Sequence, residues 1–387
     1  MSFEFRTAAT VVFGCGTARQ IGSYTESFGD KALLLTGHDP SRASVVIESL
    51  KSAGKEVSLF PVKGEPSTYS IEEAAAHARK GSCTFIVAAG GGSVIDTGKA
   101  VAALLANGGE LMDYLEVVGK GKPLLKPSCP FVALPTTGGT GAEVTHNAVM
   151  ESTVHKVKVS MRNPHMFASL AIVDPELAIS CSPEVTAHAG LDALAQLIEP
   201  FVSLKSMPLT DALCRDGIVR IARSIRRAFH RGDDMAARED MAIAALYSGM
   251  ALANTRLGAV HGFAGPLGGM TKGGHGALCA VLLVPVMDVN IRAMNEREPD
   301  NPVLKKYREI SGILTGKPDA SIQEGMIFLH DLVLSLRIRP LSVFGVSEQD
   351  FPDIILKAKA SGSMKGNPVK LTDSELEEIL ERALHFH

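Results

Sequence analysis

The sequence predicts two domains, a parallel α/β domain followed by an all-helical domain. Three observations support this fold class. The chain has 387 residues, which is more than one hydrophobic core usually organises. Its first half alternates short apolar runs with helical stretches, which is typical of a parallel sheet covered on both faces. From Ser182 onward nearly every segment has helical periodicity, so we place the domains at residues 1–179 and 180–387.

The strand candidates of the first half are short, apolar and separated by turn residues. They are ATVVFG, KALLLTG, EVSLFPV, TFIVAAG and FVALPT. The helical candidates between them are Pro40 to Ala53, Ser70 to Lys80 and Ser93 to Ala106. The pattern from Val144 to Asp174 is again extended, so extended structure is expected almost up to the domain boundary.

The second half opens with a helix-start signal, in which Ser182 is the N-cap and Pro183 the first helical residue. The amphipathic stretches that follow are Leu209 to Arg231, Met235 to Asn254, Gly276 to Met294, Pro302 to Leu314, Ile322 to Leu336 and Ser374 to His385. The glycine-rich run HGFAGPLGGMTKGGH lies between two of these stretches, and we interpret it as a turn.

The composition is that of an ordinary soluble globular protein. A net charge of -3 gives no reason to expect a nucleic acid or an acidic membrane surface as partner. The six cysteines are widely spaced without a CxxC pair, so we expect reduced thiols, neither disulfides nor thiolate metal ligands. The N-terminus lacks an apolar leader, and the run ALCAVLLVPVM is too short to span a bilayer, which predicts a cytoplasmic location.

The segment VAAGGGSVIDTGKA is the strongest local signal of the first half. A buried strand runs into three consecutive glycines, Gly90, Gly91 and Gly92, and Ser93 then opens a helix. Bare backbone amides at a helix N-terminus favour a phosphate, and Lys99 could reach a phosphate or ribose oxygen. Asp96 fits either a capping box with Ser93 or a ligand contact. The alternative for the whole segment is a tight strand-to-helix turn without a ligand.

A second loop, LPTTGGTGAEVT, also follows a strand. Hydroxyls and amides around Thr136, Thr137 and Gly141 could line a pyrophosphate and a nicotinamide, although a β-turn with self-bonded threonines would give the same pattern. After the second strand, Gly37 and Asp39 occupy the place where dinucleotide folds hold the ribose. The acid is displaced and an arginine is near, so NADP is plausible, while Asp39 also fits a helix N-cap.

Four polar side chains of the second half form a candidate metal site. Asp192 and Gln196 are four residues apart on a predicted helix, so both project from one face. His261 and His275 bracket the glycine-rich run. A carboxylate, an amide oxygen and two imidazoles could hold one zinc or iron ion. Alternatively, the histidines are hydrogen-bonded structural residues, and Gln196 is a donor beside the site instead of a weak ligand.

The chain resembles the group III, iron-containing alcohol dehydrogenases. GGGSVIDTGKA, LPTTGGTGAEVT, AIVDPEL, GLDALAQLIEPF and HGFAGPLGGMTKGGHG occur in the family's order along nearly the full length. The resemblance implies a dehydroquinate synthase-like fold, NAD(P), Fe²⁺ or Zn²⁺, a homodimer and an alcohol that is interconverted with an aldehyde or ketone. It also implies that Asp192, His261 and His275 are metal ligands, and that the glycine and threonine loops bind the nucleotide.

The sequence departs from the family at two positions. Gln196 stands where the remaining histidine ligand is expected, and Gly265 stands where the family often has a proton-relay histidine. His188, one turn before Asp192, is our candidate for a proton carrier in its place. The resemblance further implies that Lys158 is a pocket lysine that serves both the cofactor and catalysis.

Three other functions remain open at this stage. A carbonyl reductase of the same fold could work without a metal and activate its substrate through Lys158. A sugar-phosphate cyclase resembling dehydroquinate synthase shares the two-domain plan, although basic residues for a phosphate are few between Asp192 and His275. A non-enzymatic nucleotide-binding protein is the third. Metal content and net oxidation of NAD(P)H by an aldehyde separate these alternatives.

Overall fold

A computed structural model describes residues 2–152, 154–155 and 157–386. The chain divides into two compact units. The described residues of 6–137 and 141–181 form an α/β unit, and residues 2–5, Gly138–Thr140 and 182–386 form a helical unit. The main division therefore follows Cys181, close to the boundary expected at residue 179. Three residues of the threonine-rich loop group with the helical unit, which the sequence did not predict.

The α/β unit is built on a six-stranded parallel sheet in the order β1-β8-β5-β4-β2-β3, with a separate antiparallel hairpin of β6 and β7. The strands are β1 (Val11–Phe13), β2 (Lys31–Thr36), β3 (Glu56–Pro61), β4 (Phe85–Gly90), β5 (Phe131–Pro135), β6 (Asn147–Ser152), β7 (Val157–Arg162) and β8 (Leu170–Val173). The α-helices are α1 (Ile21–Tyr24), α2 (Ser44–Ser52), α3 (Thr68–Lys80), α4 (Gly92–Asn107) and α5 (Leu111–Tyr114).

Burial explains why these strands are continuously apolar. Every residue of β4 is buried, and only the first residue of β2 is partly exposed. A parallel strand covered on both faces has no polar side, so its sequence does not alternate. The five strand candidates are confirmed. The extended section after Val144 contributes β8 to the parallel sheet, but it also forms the β6–β7 hairpin.

The helical unit begins as predicted, since the Ser182 side chain accepts a hydrogen bond from the Val185 amide and Pro183 opens the helix. Its α-helices are α6 (Pro183–Val202), α7 (Pro208–His230), α8 (Met235–Asn254), α9 (Ala259–Met270), α10 (His275–Arg297), α11 (Val303–Thr315), α12 (Ile322–Ser335), α13 (Phe351–Ala360) and α14 (Asp373–Leu384). The amphipathic stretches are confirmed as α7, α8, α10, α11, α12 and α14, whereas α13 was not predicted.

The interpretation of the glycine-rich run as a turn is wrong, because most of it forms α9. Tertiary contacts outweigh the poor helix propensity of glycine here. The Val260 amide donates to Glu199 Oε1 at 2.6 Å and the Ala259 amide to Asn367 Oδ1 at 3.1 Å. These side chains satisfy donors that the first turn of a helix leaves without partners. His261 is thereby fixed on the buried face of a helix.

As a whole, helix α10 is long and apolar enough to cross a membrane by length and composition alone. The 18-residue window that meets this criterion is 89% buried inside the protein. Such burial is typical of a core helix in a soluble protein. Its residues Leu278 to Val284 belong to the hydrophobic core of the helical unit.

Candidate functional site

Four potential metal ligands converge where three helices of the helical unit meet. Asp192 lies on α6, His261 on α9, and His275 and Cys279 one turn apart on α10. One ligand atom from each side chain lies within 4.8 Å of all the others. The structure therefore brings together the three residues that the sequence singled out most strongly, and it adds a cysteine.

The separations of these atoms fit one small cation. His261 Nε2 and His275 Nε2 lie 3.3 and 3.7 Å from Asp192 Oδ1. Cys279 Sγ lies 3.7 Å from His261 Nε2 and 3.6 Å from His275 Nε2. With ordinary zinc bond lengths, the edges of a ligand tetrahedron are about 3.4 Å between nitrogen and oxygen and about 3.6 Å between sulfur and nitrogen. These four distances are thus compatible with one tetrahedrally coordinated ion.

The two carboxylate oxygens of Asp192 differ, since one accepts a hydrogen bond and the other does not. Its Oδ2 accepts a hydrogen bond from the Thr140 hydroxyl at 3.0 Å. Its Oδ1 is buried and has no hydrogen-bond partner within the described part of the chain. Burial opposes ionisation, but His275 and His261 hold the pKa of Asp192 at about 2. A buried anionic oxygen without a partner is costly, and a bound cation would remove that cost.

His261 is oriented so that one ring nitrogen is available. Its Nδ1 lies 2.6 Å from Glu199 Oε2, so Nδ1–H donates to the carboxylate and Nε2 faces the cluster. Burial lowers the pKa of His261, yet Cys279, Asp192 and Glu199 raise it well above the usual value on balance. The anionic surroundings thus favour a positive charge at this point.

Gln196 is buried on α6, one turn after Asp192. Its Nε2 donates to the Thr140 carbonyl at 2.9 Å and to Ser248 Oγ at 3.2 Å. The Thr140 hydroxyl in turn donates to Asp192. The Gln196 side-chain amide therefore fixes the backbone of Thr140, the residue that orients the Asp192 carboxylate. Of the two interpretations of Gln196, these contacts favour a donor beside the site over a metal ligand.

The glycine loop and the threonine loop lie side by side in the α/β unit. The Thr136 amide donates to the Gly90 carbonyl at 3.0 Å, and a Cβ built on Gly91 would lie 3.6 Å from the Thr137 side chain. A Cβ on Gly90 would come within 2.4 Å of Val94, so only glycine allows α4 to start so close to β4. Gly141 has a φ of +63°, which also favours glycine.

Gly91 is the N-cap of α4 and carries no side chain that could cap the helix. Gly92 and Ser93 are the first two helical residues and are partly exposed. Amide groups in the first turn of a helix are available to an anion when no side chain caps them. The structure therefore brings the predicted nucleotide residues Gly90 to Ser93 and Thr136 to Thr137 together at the carboxyl ends of β4 and β5.

Comparison with known proteins places this arrangement in a family. The sequence model of "Iron-containing alcohol dehydrogenase" matches residues 8–175, and that of "Fe-containing alcohol dehydrogenase family, C-terminal" matches residues 186–384. The chain belongs to the iron-containing alcohol dehydrogenase family. The predicted family and fold class are thereby confirmed, and the chain is an alcohol dehydrogenase by class. Alcohol oxidoreduction is favoured over a sugar-phosphate cyclase and over a non-enzymatic protein.

Individual relatives match this dehydrogenase over nearly its full length. Choline dehydrogenase of Bacillus subtilis strain 168 is 34% identical over 99% of this chain and 95% of the relative. 1,3-Propanediol dehydrogenase of Klebsiella pneumoniae is 33% identical over 98% of each chain. A crystal structure of 1,3-propanediol oxidoreductase matches with a TM-score of 0.90 at 32% identity, covering 99% of this chain and 100% of that one.

Two predictions about the glycine loop of the dehydrogenase need correction. Ser93 is not an N-cap, so the capping box with Asp96 is wrong; Asp96 instead accepts from Lys99 Nζ at 3.0 Å and from the Val149 amide at 2.9 Å. Lys99 is fully buried and also donates to Thr145 Oγ1 at 2.7 Å and to the Asn147 carbonyl at 2.8 Å. All three ammonium hydrogens are used, so Lys99 supports α4 and β6 instead of reaching a phosphate.

The loop after β2 is organised by Asp39. Its Oδ1 accepts hydrogen bonds from the Ser41 amide at 3.0 Å and the Ser41 hydroxyl at 2.6 Å, and Pro40 opens the short 3₁₀ turn that follows. The N-cap interpretation of Asp39 is therefore confirmed. Gly37 directly follows β2, and a Cβ there would meet no described atom within 4 Å. Arg42 donates to the Ser180 hydroxyl through Nε at 3.0 Å.

The two predicted catalytic side chains lie in different surroundings. Lys158, on β7, forms an ion pair with Glu65 at 2.5 Å and is largely buried. His188 lies one turn before Asp192 on α6 and is half-buried, and burial lowers its pKa. The backbone of α10 passes close to it, since a Cβ on Gly276 would lie 2.8 Å from the His188 carbonyl oxygen. Gly265 is exposed on α9. Neither Lys158 nor His188 belongs to the four-residue cluster.

Cys279 is the residue that the sequence interpretation missed. The absence of a CxxC pair had argued against thiolate ligands, and that reasoning overlooked helical spacing. Cys279 follows His275 by four residues, so the two share one face once α10 starts at His275. None of the cysteines forms a disulfide in the described part of the chain, as expected.

Proposed function

We propose that this dehydrogenase interconverts a small primary alcohol and its aldehyde with NAD(H) and one divalent cation held by Asp192, His261 and His275. One observation carries the metal proposal. Asp192 Oδ1 is buried, ionised and without a hydrogen-bond partner in the described chain, and it faces two imidazole nitrogens. An anionic oxygen that faces two imidazole nitrogens offers three donor atoms to a cation, whereas a metal-independent site would satisfy that oxygen with a donor.

The side chains around the cation have separable tasks. When bound, the cation would act as a Lewis acid toward the substrate oxygen. Thr140 holds Asp192 in place through its hydroxyl, and Glu199 keeps His261 in the tautomer that presents Nε2. His188 lies one turn from Asp192, and because burial lowers its pKa, its imidazole is uncharged at neutral pH and would relay a proton instead of holding one.

The nucleotide proposal concerns the α/β unit. Bound NAD(H) would accept or supply the hydride. The amides of Gly92 and Ser93 at the start of α4 would hold its pyrophosphate, and Thr136 and Thr137 would line the same loop. Asp39 follows β2; its Oδ1 caps the next turn through Ser41, and its Oδ2 would accept a ribose hydroxyl while its charge would repel a 2′-phosphate. Arg42, which could have favoured NADP, donates to Ser180. These contacts support NAD over NADP, although the sequence alone left NADP plausible.

The substrate class rests on the relatives. One is named for choline and one for 1,3-propanediol, both of which carry a primary alcohol. We further propose that the protein is cytoplasmic, since its cysteines form no disulfide in the described chain, and that it is a homodimer as the family resemblance implies.

The decisive experiment combines metal analysis with activity. The purified protein is assayed for aldehyde reduction with NADH and NADPH before chelation, after chelation, and after addition of Fe²⁺ or Zn²⁺. We expect chelation to abolish turnover and metal to restore it, with NADH preferred. Asp192→Asn should lower kcat/KM at least about 100-fold, because it removes a ligand and not merely a supporting contact. Asp288→Asn, which removes a half-exposed carboxylate paired with Arg382, is the control.

Undiminished turnover in protein shown to be metal-free would instead support the metal-independent reductase. Equal catalytic efficiency with NADPH would contradict the assignment of Asp39 and Arg42, but it would leave the metal proposal intact. The two parts of the proposal can therefore fail separately.

A further inference from the structure

We propose that the Cys279 thiolate is the fourth protein ligand of the cation, in place of a side chain at position 196. This inference rests on the proposed metal function and goes beyond it, because it fixes the donor set as one carboxylate, two imidazoles and one thiolate. It also predicts which metal the chain prefers.

The first argument is geometric. Cys279 Sγ lies 3.7 and 3.6 Å from the Nε2 atoms of His261 and His275, the same two nitrogens that approach Asp192 Oδ1 at 3.3 and 3.7 Å. All four distances match the edges of a zinc tetrahedron, about 3.4 to 3.6 Å, within a few tenths of an ångström. The sulfur thus lies within ligand distance of the same ion as the other three donors, and the substrate oxygen would enter as a fifth ligand.

The second argument concerns Gln196. Its amide nitrogen is committed to the Thr140 carbonyl and to Ser248 Oγ, at 2.9 and 3.2 Å. These contacts support the Gly139–Thr140 segment, whose Thr140 hydroxyl orients Asp192. The Gln196 side chain therefore has a structural role, and we assign the fourth ligand position to Cys279 on α10 instead of Gln196 on α6.

The third argument is electrostatic. Asp192, His261 and Cys279 are buried, Cys279 completely, whereas the His275 side chain is 38% exposed. A divalent cation with Asp192 as its one anionic ligand would leave a buried net positive charge. With the Cys279 thiolate as the second anion, the charges cancel, which lowers the cost of burial. On binding, the metal–sulfur bond forms and the thiol proton passes to solvent.

A thiolate also changes the metal preference. Thiolates are soft ligands that favour zinc, whereas carboxylates are hard. The donor set of this chain should therefore bind Zn²⁺ in preference to Fe²⁺, in spite of the family's name.

The test uses Co²⁺ as a spectroscopic probe of the full-length protein. Cobalt-loaded wild type should show the near-ultraviolet charge-transfer band of a cobalt thiolate. Cys279→Ser should lose this band and bind Zn²⁺ at least about 100-fold more weakly in chelator competition, because one ligand is lost. Cys214→Ser is the matched control, since Cys214 is equally buried in the helical unit but lies on α7. It should retain both the band and the affinity.

A measurement on wild type alone covers the case in which Cys279→Ser fails to fold. X-ray absorption of the zinc-loaded protein should show one Zn–S distance of about 2.3 Å. Cobalt binding without a charge-transfer band, or zinc without a sulfur neighbour, would overturn the assignment of Cys279 and leave the proposed metal function standing. A protein that binds neither ion would overturn both.

Discussion

Burial of Glu143 predicts that the protein loses stability as the pH rises from the acid range to neutral. Glu143 is 1% exposed, and burial raises its pKa to about 7, although its own amide and the charge of Lys99 act in the opposite direction. The usual value is 4.5. Between these two values the folded chain keeps a proton that the unfolded chain has released. The free energy of unfolding therefore falls as pH rises through this window and levels off above about pH 7.

The size of this effect follows from the two pKa values. A difference between 4.5 and about 7 corresponds to about 3 kcal/mol at pH 8. Glu143→Gln cannot ionise, so it removes the pH-dependent cost. We expect the variant to exceed wild type in free energy of unfolding by about 1 kcal/mol at pH 5 and by about 3 kcal/mol at pH 8.

Urea unfolding of both proteins at pH 5, 6, 7 and 8 measures this difference. Glu151→Gln is the control, because Glu151 lies exposed on β6 of the same unit. Its difference from wild type should not change with pH. A difference between Glu143→Gln and wild type that stays constant from pH 5 to pH 8 would refute the reasoning, whatever its sign.

Three further predictions concern the site and its supports. Glu199→Gln should weaken zinc binding about 10- to 100-fold in chelator competition, because it removes the carboxylate that orients His261. Gly90→Ala should weaken NADH binding in fluorescence titration and destabilise the protein by about 1–3 kcal/mol, since its Cβ would lie 2.4 Å from Val94. Lys99→Met should cost about 3 kcal/mol of unfolding free energy, as it breaks a buried ion pair, while the NADH dissociation constant of the folded protein stays nearly unchanged.

Each of these three predictions can be checked against a control variant, and each could be contradicted by a specific result. Glu184→Gln, on the exposed part of α6, should keep zinc affinity, and equal affinities of Glu199→Gln and wild type would contradict the orienting role. Gly362→Ala has space for its methyl group and should bind NADH normally. If Lys99→Met instead raised the NADH dissociation constant strongly without loss of stability, the result would support a contact between Lys99 and a phosphate. Lys80→Met, exposed on α3, is its control.

The sequence predicted those features that depend on local pattern. The strands are continuous apolar runs because the parallel sheet is covered on both faces, and the start of α6 follows from Ser182 and Pro183. Asp192 and Gln196 were placed correctly on one helix. Such features need only the neighbouring residues to specify them.

The sequence-based predictions were wrong where residues distant in sequence determine the local structure or the contacts of a side chain. The partners of Lys99 lie 46 and 48 residues away on another element, so spacing within GGGSVIDTGKA could not reveal them. Helix α9 forms in a glycine-rich run because Glu199 and Asn367 supply its first amides with acceptors. Cys279 could have been found from its spacing to His275, but only with α10 extended back to that residue. The metal ligands themselves stay a prediction that binding measurements must test.

The four converging donors also have a mechanical consequence. Asp192 and His275 are 83 residues apart in sequence (275 minus 192), and they lie on helices that fill the centre of one unit. An ion shared between them would fasten these helices as a cross-link does, in a chain whose described cysteines form no such bond. Metal supply during synthesis would then govern how long the polypeptide survives as well as how fast it turns over. Starving the cell of zinc should shorten its lifetime before any substrate is offered.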